Sequence, residues 1–104
     1  MRRSVVWTDE ATWDLTLLGQ YLVVAFGLQV AEKVVRGIVD MTEMLPENPY
    51  MGVADMRHPP YRVFRFKRTS VYYVIRDNEI EITRILDNRQ GDFRKNKALN
   101  KRKQ

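Results

Sequence analysis

Basic side chains crowd two stretches in the second half of the chain, and their chemistry suits the binding of phosphate or carboxylate groups. The stretches are YRVFRFKRTS, at positions 61–70, and EIEITRILDNRQ, at positions 79–90. A guanidinium group holds a phosphate or a carboxylate through two parallel hydrogen bonds. Both stretches therefore predict contacts with nucleic acid or with an acidic protein. The side chains concerned are Arg62, Arg65, Lys67, Arg68, Arg84, Asp87, Arg89 and Gln90.

Each stretch also has a purely structural interpretation. Arg65 and Lys67 are two residues apart, so on a strand they share one face. That face either follows a phosphate backbone or is simply a solvated outer surface. Arg89 either binds a phosphate or pairs with Asp87 and holds the end of the chain.

The formal net charge of the chain is +5, and it is unevenly distributed. Residues 1–60 hold 5 basic and 8 acidic side chains, a net charge of −3, whereas residues 61–104 hold 13 basic and 5 acidic ones, a net charge of +8. A basic half of this kind attracts nucleic acid or an acidic protein, although a soluble lysine-rich surface has the same composition.

Composition excludes several classes of protein. The chain has no cysteine and one histidine, so disulfides and thiolate chemistry are absent, and we predict neither a metal site nor a cofactor. No apolar run reaches the roughly 18 residues of a membrane span, and the apolar run near the N-terminus is too short for a signal peptide. A length of 104 residues is typical of one small domain.

Two segments with helical periodicity lie in the first half of the chain. Thr8 is the predicted N-cap of the first, because its hydroxyl accepts a hydrogen bond from the first turn, where Asp9 and Glu10 suit the helix dipole. Gly27 ends the first helix and Pro46 ends the second. The apolar stripes are Ala11, Leu15, Leu18 and Leu22 on the first helix, and Val30, Val34, Ile38, Met41 and Leu45 on the second.

The two helices are predicted to form an antiparallel hairpin, because only Gly27 separates them. On the second helix, Glu32 and Arg36 are four residues apart and are predicted to form an ion pair. A hairpin of this kind cannot bury its apolar stripes alone, so it must pack against another layer.

Four runs are typical of strands: RSVVWT before the helices, and YRVFRFK, SVYYVIR and EIEITRIL after them. The proline-rich segment 46–60 is predicted to be a loop. Asp77 and Asn78 suit a tight hairpin turn between the last two strands. Because the alternation of apolar residues changes phase in the last strand, we expect a β-bulge near Thr83 and Arg84.

The predicted order β-α-α-β-β-β indicates an α+β fold, with the helix hairpin on one face of a small, mainly antiparallel sheet. The other face stays free for a partner and is expected to be cationic. On the middle strand this face carries either Tyr72 or Tyr73 and its neighbours. We predict one domain over residues 1–92, followed by a basic tail, residues 93–104, that is weakly helical or unpacked.

The chain resembles the RelE/ParE superfamily, the toxin halves of bacterial type II toxin–antitoxin pairs. The resemblance covers Val5 to Arg94, and its strongest local signal is the last strand running into DNRQ. It implies a small cytoplasmic protein that is neutralised by an acidic, partly disordered antitoxin. The stretches that carry it are VVWTDEA, DLTLLGQYL, AEKVVRGIVDMTEMLPENPYMG and YRVFRFKRTSVYYVIRDNEIEITRILDNRQ.

RelE-like members of this superfamily cut mRNA on the ribosome without a metal. The resemblance implies that Arg89 matches their arginine after the last strand. Thr69 or Ser70 occupies the position of their arginine in the hairpin, and Arg68 is close enough to replace it if the register shifts. RNA cleavage needs a group that transfers a proton near neutral pH, yet no tyrosine or histidine follows Tyr73. We interpret His58 as a loop-surface residue. The nuclease set would be Arg65, Lys67, Arg84 and Arg89, with a proton-transfer group among Tyr61, Tyr72, Tyr73, Glu81 and Asp87.

ParE-like members bind and inhibit DNA gyrase, and the resemblance gives their helix hairpin a role in partner recognition. Trp13 and Tyr21 lie on one side of the first helix and are candidate anchors, although such aromatic residues more often belong to a core. Gyrase inhibition is favoured, because the proton-transfer set is incomplete. The alternatives are the ribosome-dependent endonuclease and a non-toxic basic adaptor. Predicted contacts to antitoxin or nucleic acid are Arg62, Arg65, Lys67, Arg68, Asp87, Arg89, Gln90, Arg94 and Lys95.

Overall fold

The computed structural model describes residues 2–88, which form two helices and one five-stranded sheet. The strands lie in the order β1-β5-β4-β3-β2, with β1 parallel to β5 and every other neighbouring pair antiparallel. This confirms the predicted α+β class. The elements are β1 Ser4–Trp7, α1 Asp9–Phe26, α2 Leu28–Met44, β2 Val53–Ala54, β3 Arg62–Phe66, β4 Thr69–Ile75 and β5 Glu79–Asp87.

Helix α1 begins and ends where its caps predict. The Thr8 hydroxyl accepts a hydrogen bond from the Ala11 amide at 3.0 Å, as expected of an N-cap. Gly27 has a φ of 93°, a backbone conformation that favours glycine, and it links α1 directly to α2. The buried face of α1 includes Leu18 and Leu22, and also a charged residue, Asp14, which the apolar stripe did not predict.

The buried face of α2 differs from the predicted stripe at two positions. Val30 is 40% exposed, whereas Thr42 is buried and its hydroxyl donates a hydrogen bond to the Val39 carbonyl at 2.7 Å. The predicted ion pair on this helix is wrong. Within residues 2–88, Glu32 and Arg36 make no ion pair with each other, and both side chains are exposed.

The core lies between the helices and one face of the sheet. Tyr73, rather than Tyr72, points toward the helices and is fully buried. In the pairing of β4 with β5, Tyr72 lies opposite Arg84 and Tyr73 lies opposite Ile82, which leaves Thr83 as an extra residue. The predicted bulge is therefore confirmed, and it restores Ile85 to the buried face after Ile80 and Ile82.

Two local predictions change in the region around β3. The loop predicted over residues 46–60 contains the short edge strand β2, which pairs with β3. Strand β3 ends at Phe66, and Lys67 lies in the following turn with a φ of 56°. Lys67 therefore does not share a strand face with Arg65, contrary to the period-two prediction. The tail predicted over residues 93–104 lies outside the described residues.

Candidate functional site

The sheet face opposite the helices bears an open cavity of about 880 Å³, which we call the front groove. Strand alternation places Tyr72, Glu81 and Leu86 on this face, because their neighbours Tyr73, Ile82 and Ile85 point into the core. The sheet face opposite the helices is therefore open in the described structure, as predicted. The remaining lining residues are Thr8, Glu10, Asp55, Arg57, His58, Tyr61, Thr83 and Arg84.

Arg84 reaches the front groove from the bulge, but its guanidinium is held by a buried carboxylate on α1. Nε and Nη2 of Arg84 donate hydrogen bonds to the two Asp14 carboxylate oxygens at 2.8 and 3.2 Å, and the Ile85 amide donates to Asp14 at 2.9 Å. The hydrogen bond to Asp14 raises the pKa of Arg84 above its ordinary value. Arg84 was predicted from sequence as a nuclease residue, and in the structure it also joins α1 to β5.

His58 lies on the loop surface, as predicted, with its side chain 70% exposed. The loop folds over the sheet, however, so His58 also lines the front groove. Its Nδ1 lies 3.1 Å from a carboxylate oxygen of Asp55, and the Arg57 amide donates to the same carboxylate at 3.1 Å. Burial would raise the pKa of Asp55, but the hydrogen bonds from His58 and Arg57 and the electrostatic effect of His58 together outweigh it, so the pKa of Asp55 is lowered.

In the predicted basic cluster on and after β3, one arginine contacts the neighbouring loop and the other basic side chains are exposed. Nη2 of Arg62 donates a hydrogen bond of 2.6 Å to the Gly52 carbonyl, and its guanidinium lies 5.0 Å from the centre of the Tyr50 ring. Arg62 therefore ties the loop to the sheet edge. Arg65, Lys67 and Arg68 are exposed. Their contacts with nucleic acid or antitoxin remain predictions.

At the end of β5, Asp87 is 4% exposed and accepts a hydrogen bond of 2.6 Å from the Thr69 hydroxyl. This geometry gives Asp87 a structural role within the sheet. The other four predicted contact residues beyond β5 fall outside the described part of the chain. They are Arg89, Gln90, Arg94 and Lys95.

The expectation of a cationic front is wrong for the described residues. Glu10, Asp55 and Glu81 line the front groove beside Arg57 and Arg84. By sequence, the stretch 2–88 holds 11 basic and 12 acidic residues, while 89–104 holds seven basic and one acidic. The positive excess of the chain therefore belongs to its last 16 residues.

The helix hairpin exposes more apolar surface than its sequence pattern predicted. Trp13 is 60% exposed, so its interpretation as a core residue is wrong, whereas Tyr21 packs partly against the core. At the tip of the hairpin, every residue from 23 to 30 is exposed. Val24 is the extreme case, with 89% of its surface accessible. Sequence reasoning missed this tip because its apolar residues continue the helical pattern.

Neither α1 nor α2 combines the length and hydropathy that a membrane-spanning helix needs. Among residues 2–88, histidine and acidic side chains nowhere gather in a group of three that would suit a metal ion.

A helical hairpin behind a five-stranded sheet with an open front defines the class of small α+β proteins that includes the RelE and ParE toxins. A family model described as the ParE toxin of the type II toxin–antitoxin system parDE matches residues 5–91. The chain belongs to this ParE toxin family.

A solved structure of another protein shares this fold. A chain in the structure titled "Chromosomal ParDE TA system from P. aeruginosa" is 27% identical to this chain, with a TM-score of 0.73. The match covers 83% of this chain and 96% of that one. No curated protein matches the sequence.

Proposed function

We propose that this protein is a type II toxin that acts in the cytoplasm by binding and inhibiting DNA gyrase, and that an acidic antitoxin neutralises it. Membership in the ParE toxin family supports the toxin assignment. The choice of gyrase inhibition over RNA cleavage rests on the front groove, because the groove offers a poor set of groups for cutting RNA.

The observation that carries this choice is the absence of a guanidinium where the family resemblance places the hairpin arginine of the nucleases. Thr69 and Ser70 occupy that place and are 0% and 8% exposed. Neither side chain carries a charge, and the Thr69 hydroxyl donates its hydrogen bond to Asp87. Arg84 is already neutralised by Asp14, which leaves less positive charge to stabilise a phosphorane-like transition state.

The helix hairpin is the surface that supports a binding mechanism. Trp13 exposes a large aromatic side chain on α1, and aromatic residues of this type dominate the energetics of many interfaces. The exposed basic residues Arg65, Lys67 and Arg68 provide contacts for an acidic antitoxin. The target then binds through Trp13, and the antitoxin binds through these basic side chains.

The test compares gyrase supercoiling with the integrity of ribosome-bound mRNA, both in the presence of purified protein. We expect supercoiling to be inhibited and message to stay intact. Trp13→Ala should weaken inhibition, whereas Tyr50→Ala, which removes another exposed aromatic side chain, should not. Circular dichroism establishes that both variants are folded. Cleaved message with uninhibited gyrase would overturn the proposal.

One observation favours the endonuclease as a second candidate. His58 lines the same groove as Tyr61, Tyr72 and Arg84, and its contact with Asp55 orients the ring. Histidine transfers protons near neutral pH, which is what the predicted nuclease set lacked. If this candidate is right, His58→Ala abolishes message cleavage while Lys33→Ala, an exposed site on α2 outside the groove, retains it.

Arg89→Ala separates a contact role from a structural role at the end of the last strand. We expect the free energy of unfolding to stay nearly unchanged while inhibition or antitoxin binding weakens. A large fall in thermal stability would instead support the structural interpretation of Arg89.

A further inference from the structure

Carboxylates from three separate elements of the fold line the front groove. Glu10 lies in the first turn of α1, Asp55 lies in the loop between β2 and β3, and Glu81 lies on β5. They border one open cavity of about 880 Å³, a volume in the range of cavities that bind ligands. A group that enters the groove therefore meets negative charge from more than one side.

The arginines of the front groove do not cancel this negative charge. Arg84 is already paired with the buried carboxylate of Asp14 at 2.8 Å, so this pair is neutral as a whole. Arg57 is the other arginine among the lining residues, and it is exposed. Four carboxylates, with Asp14 included, thus face two guanidinium groups, a formal net charge of −2. The ion pair that Arg76 makes with Glu81 from outside the groove reduces this charge but does not remove it.

Glu10 and Glu81 are the carboxylates best able to accept new hydrogen bonds. Among residues 2–88, the exposed side chain of Glu10 makes no ion pair, although its charge helps to raise the pKa of Arg84. Glu81 is paired with Arg76, whose side chain is 54% exposed, and an exposed pair of this kind contributes little and is easily replaced. Asp55, in contrast, is already held by hydrogen bonds within its own loop.

Aromatic and apolar side chains lie among these carboxylates. Tyr72 is half-buried on β4, while Tyr61 and Leu86 are 38% and 39% exposed. The face of a tyrosine ring attracts a cation, and a planar guanidinium stacks on such a ring while its N–H groups donate to carboxylates. The methylene groups of an arginine side chain also pack on apolar surface. Carboxylates beside aromatic rings are therefore the surroundings that suit an arginine.

We propose that the front groove binds an arginine side chain from a basic segment of a partner protein, with Glu10 and Glu81 as acceptors and Tyr72 as the stacking surface. The charge of the groove selects this occupant, because a nucleic-acid phosphate or an acidic segment would lie beside carboxylates without compensation. Lysine fits less well, since its ammonium group is a compact point charge that does not stack.

The test is the fluorescence anisotropy of a labelled short peptide of alternating arginine and glycine, titrated with the full chain. At about 0.15 M salt the Debye length is about 8 Å, so the distant basic residues of the chain repel the peptide little. We expect saturable binding of this peptide and weaker binding of the same peptide with lysine. The same peptide with citrulline, the uncharged isostere of arginine, should not bind.

Substitutions in the front groove locate the binding. Glu10→Gln and Glu81→Gln each remove one negative charge at constant size and should each weaken binding by about threefold to tenfold. Tyr72→Leu keeps an apolar side chain but removes the ring, and should weaken binding as well. The matched control is Glu43→Gln, an exposed acidic residue of α2 outside the groove, which should have no effect. Circular dichroism establishes that each variant is folded.

The inference is overturned if the arginine peptide does not bind, or if it binds no better than the citrulline peptide. Binding that is indifferent to both Glu10→Gln and Glu81→Gln overturns it as well. A labelled oligouridylate whose binding falls in both Tyr72→Leu and Arg57→Ala would show that the groove holds nucleic acid instead. The titrations contain neither gyrase nor ribosomes, so this inference fails or stands separately from the proposed function.

Discussion

The buried carboxylate of Asp14 is predicted to be the most consequential polar group in the described fold. It is 1% exposed and accepts three hydrogen bonds, two from Arg84 and one from the Ile85 amide. These bonds join α1 to the bulge of β5 across 70 positions of sequence. Asp14→Ala removes both carboxylate oxygens, and with them these three hydrogen bonds, with little change in apolar packing.

The magnitude follows from what each partner loses. The Ile85 amide is buried, and leaving it without an acceptor costs about 1–3 kcal/mol. The Arg84 side chain is 48% exposed, so water replaces part of its lost contact and its share stays toward the low end of about 1.5–3 kcal/mol. We therefore expect Asp14→Ala to lower the free energy of unfolding by about 3 kcal/mol, or the Tm by roughly 12–24 °C.

Urea unfolding followed by tryptophan fluorescence measures this change. The matched control is Arg76→Ala, which breaks the exposed ion pair with Glu81 at 3.2 Å and should cost less than about 1 kcal/mol. If Asp14→Ala costs no more than this control, the buried carboxylate does not hold the helix to the strand and the reasoning is refuted.

Three further outcomes are expected. Gly37→Ala should cost about 1–3 kcal/mol in urea unfolding, because a methyl group there collides with the Phe66 ring; a neutral result would mean that the ring moves aside freely. Tyr73→Phe should cost about 2 kcal/mol, because the buried hydroxyl donates at 2.7 Å and accepts at 3.0 Å from loop backbone, and an unchanged Tm would contradict this. His58→Ala should raise the pKa of Asp55 toward its ordinary value of 3.8 in an NMR titration. Since that pKa is lowered in the fold, the stabilising effect of Asp55 is complete above its ordinary pKa and disappears as the pH falls through the lowered one.

Features that depend on neighbours in sequence were predicted well. The N-cap at Thr8, the break at Gly27 and the phase change at Thr83 each follow from a few adjacent residues, and each is present in the structure. A cap or a bulge forms from local hydrogen bonding and alternation, so a short window contains the information it needs.

Features of the candidate site were predicted less well, because they depend on distant parts of the chain. Position 14 falls on the same helix face as Ala11 and Leu18, but a charged side chain is rarely buried, and only the contacts with Arg84 and Ile85 explain why this one is. The sequence predicts His58 to be a loop-surface residue. Only the path of that loop over the sheet brings it to the front groove. No local pattern encodes either contact.

The amino-acid order alone was enough to specify the α+β class, the helix hairpin and the resemblance to RelE and ParE toxins, since these depend on periodicity and on short-range signals. The packed fold alone showed that Tyr72 and not Tyr73 faces the front, that Trp13 is exposed, and that the front groove carries acidic as well as basic groups. The physical reason is that burial and charge pairing are properties of contacts between distant segments, which exist only after the helices have packed on the sheet.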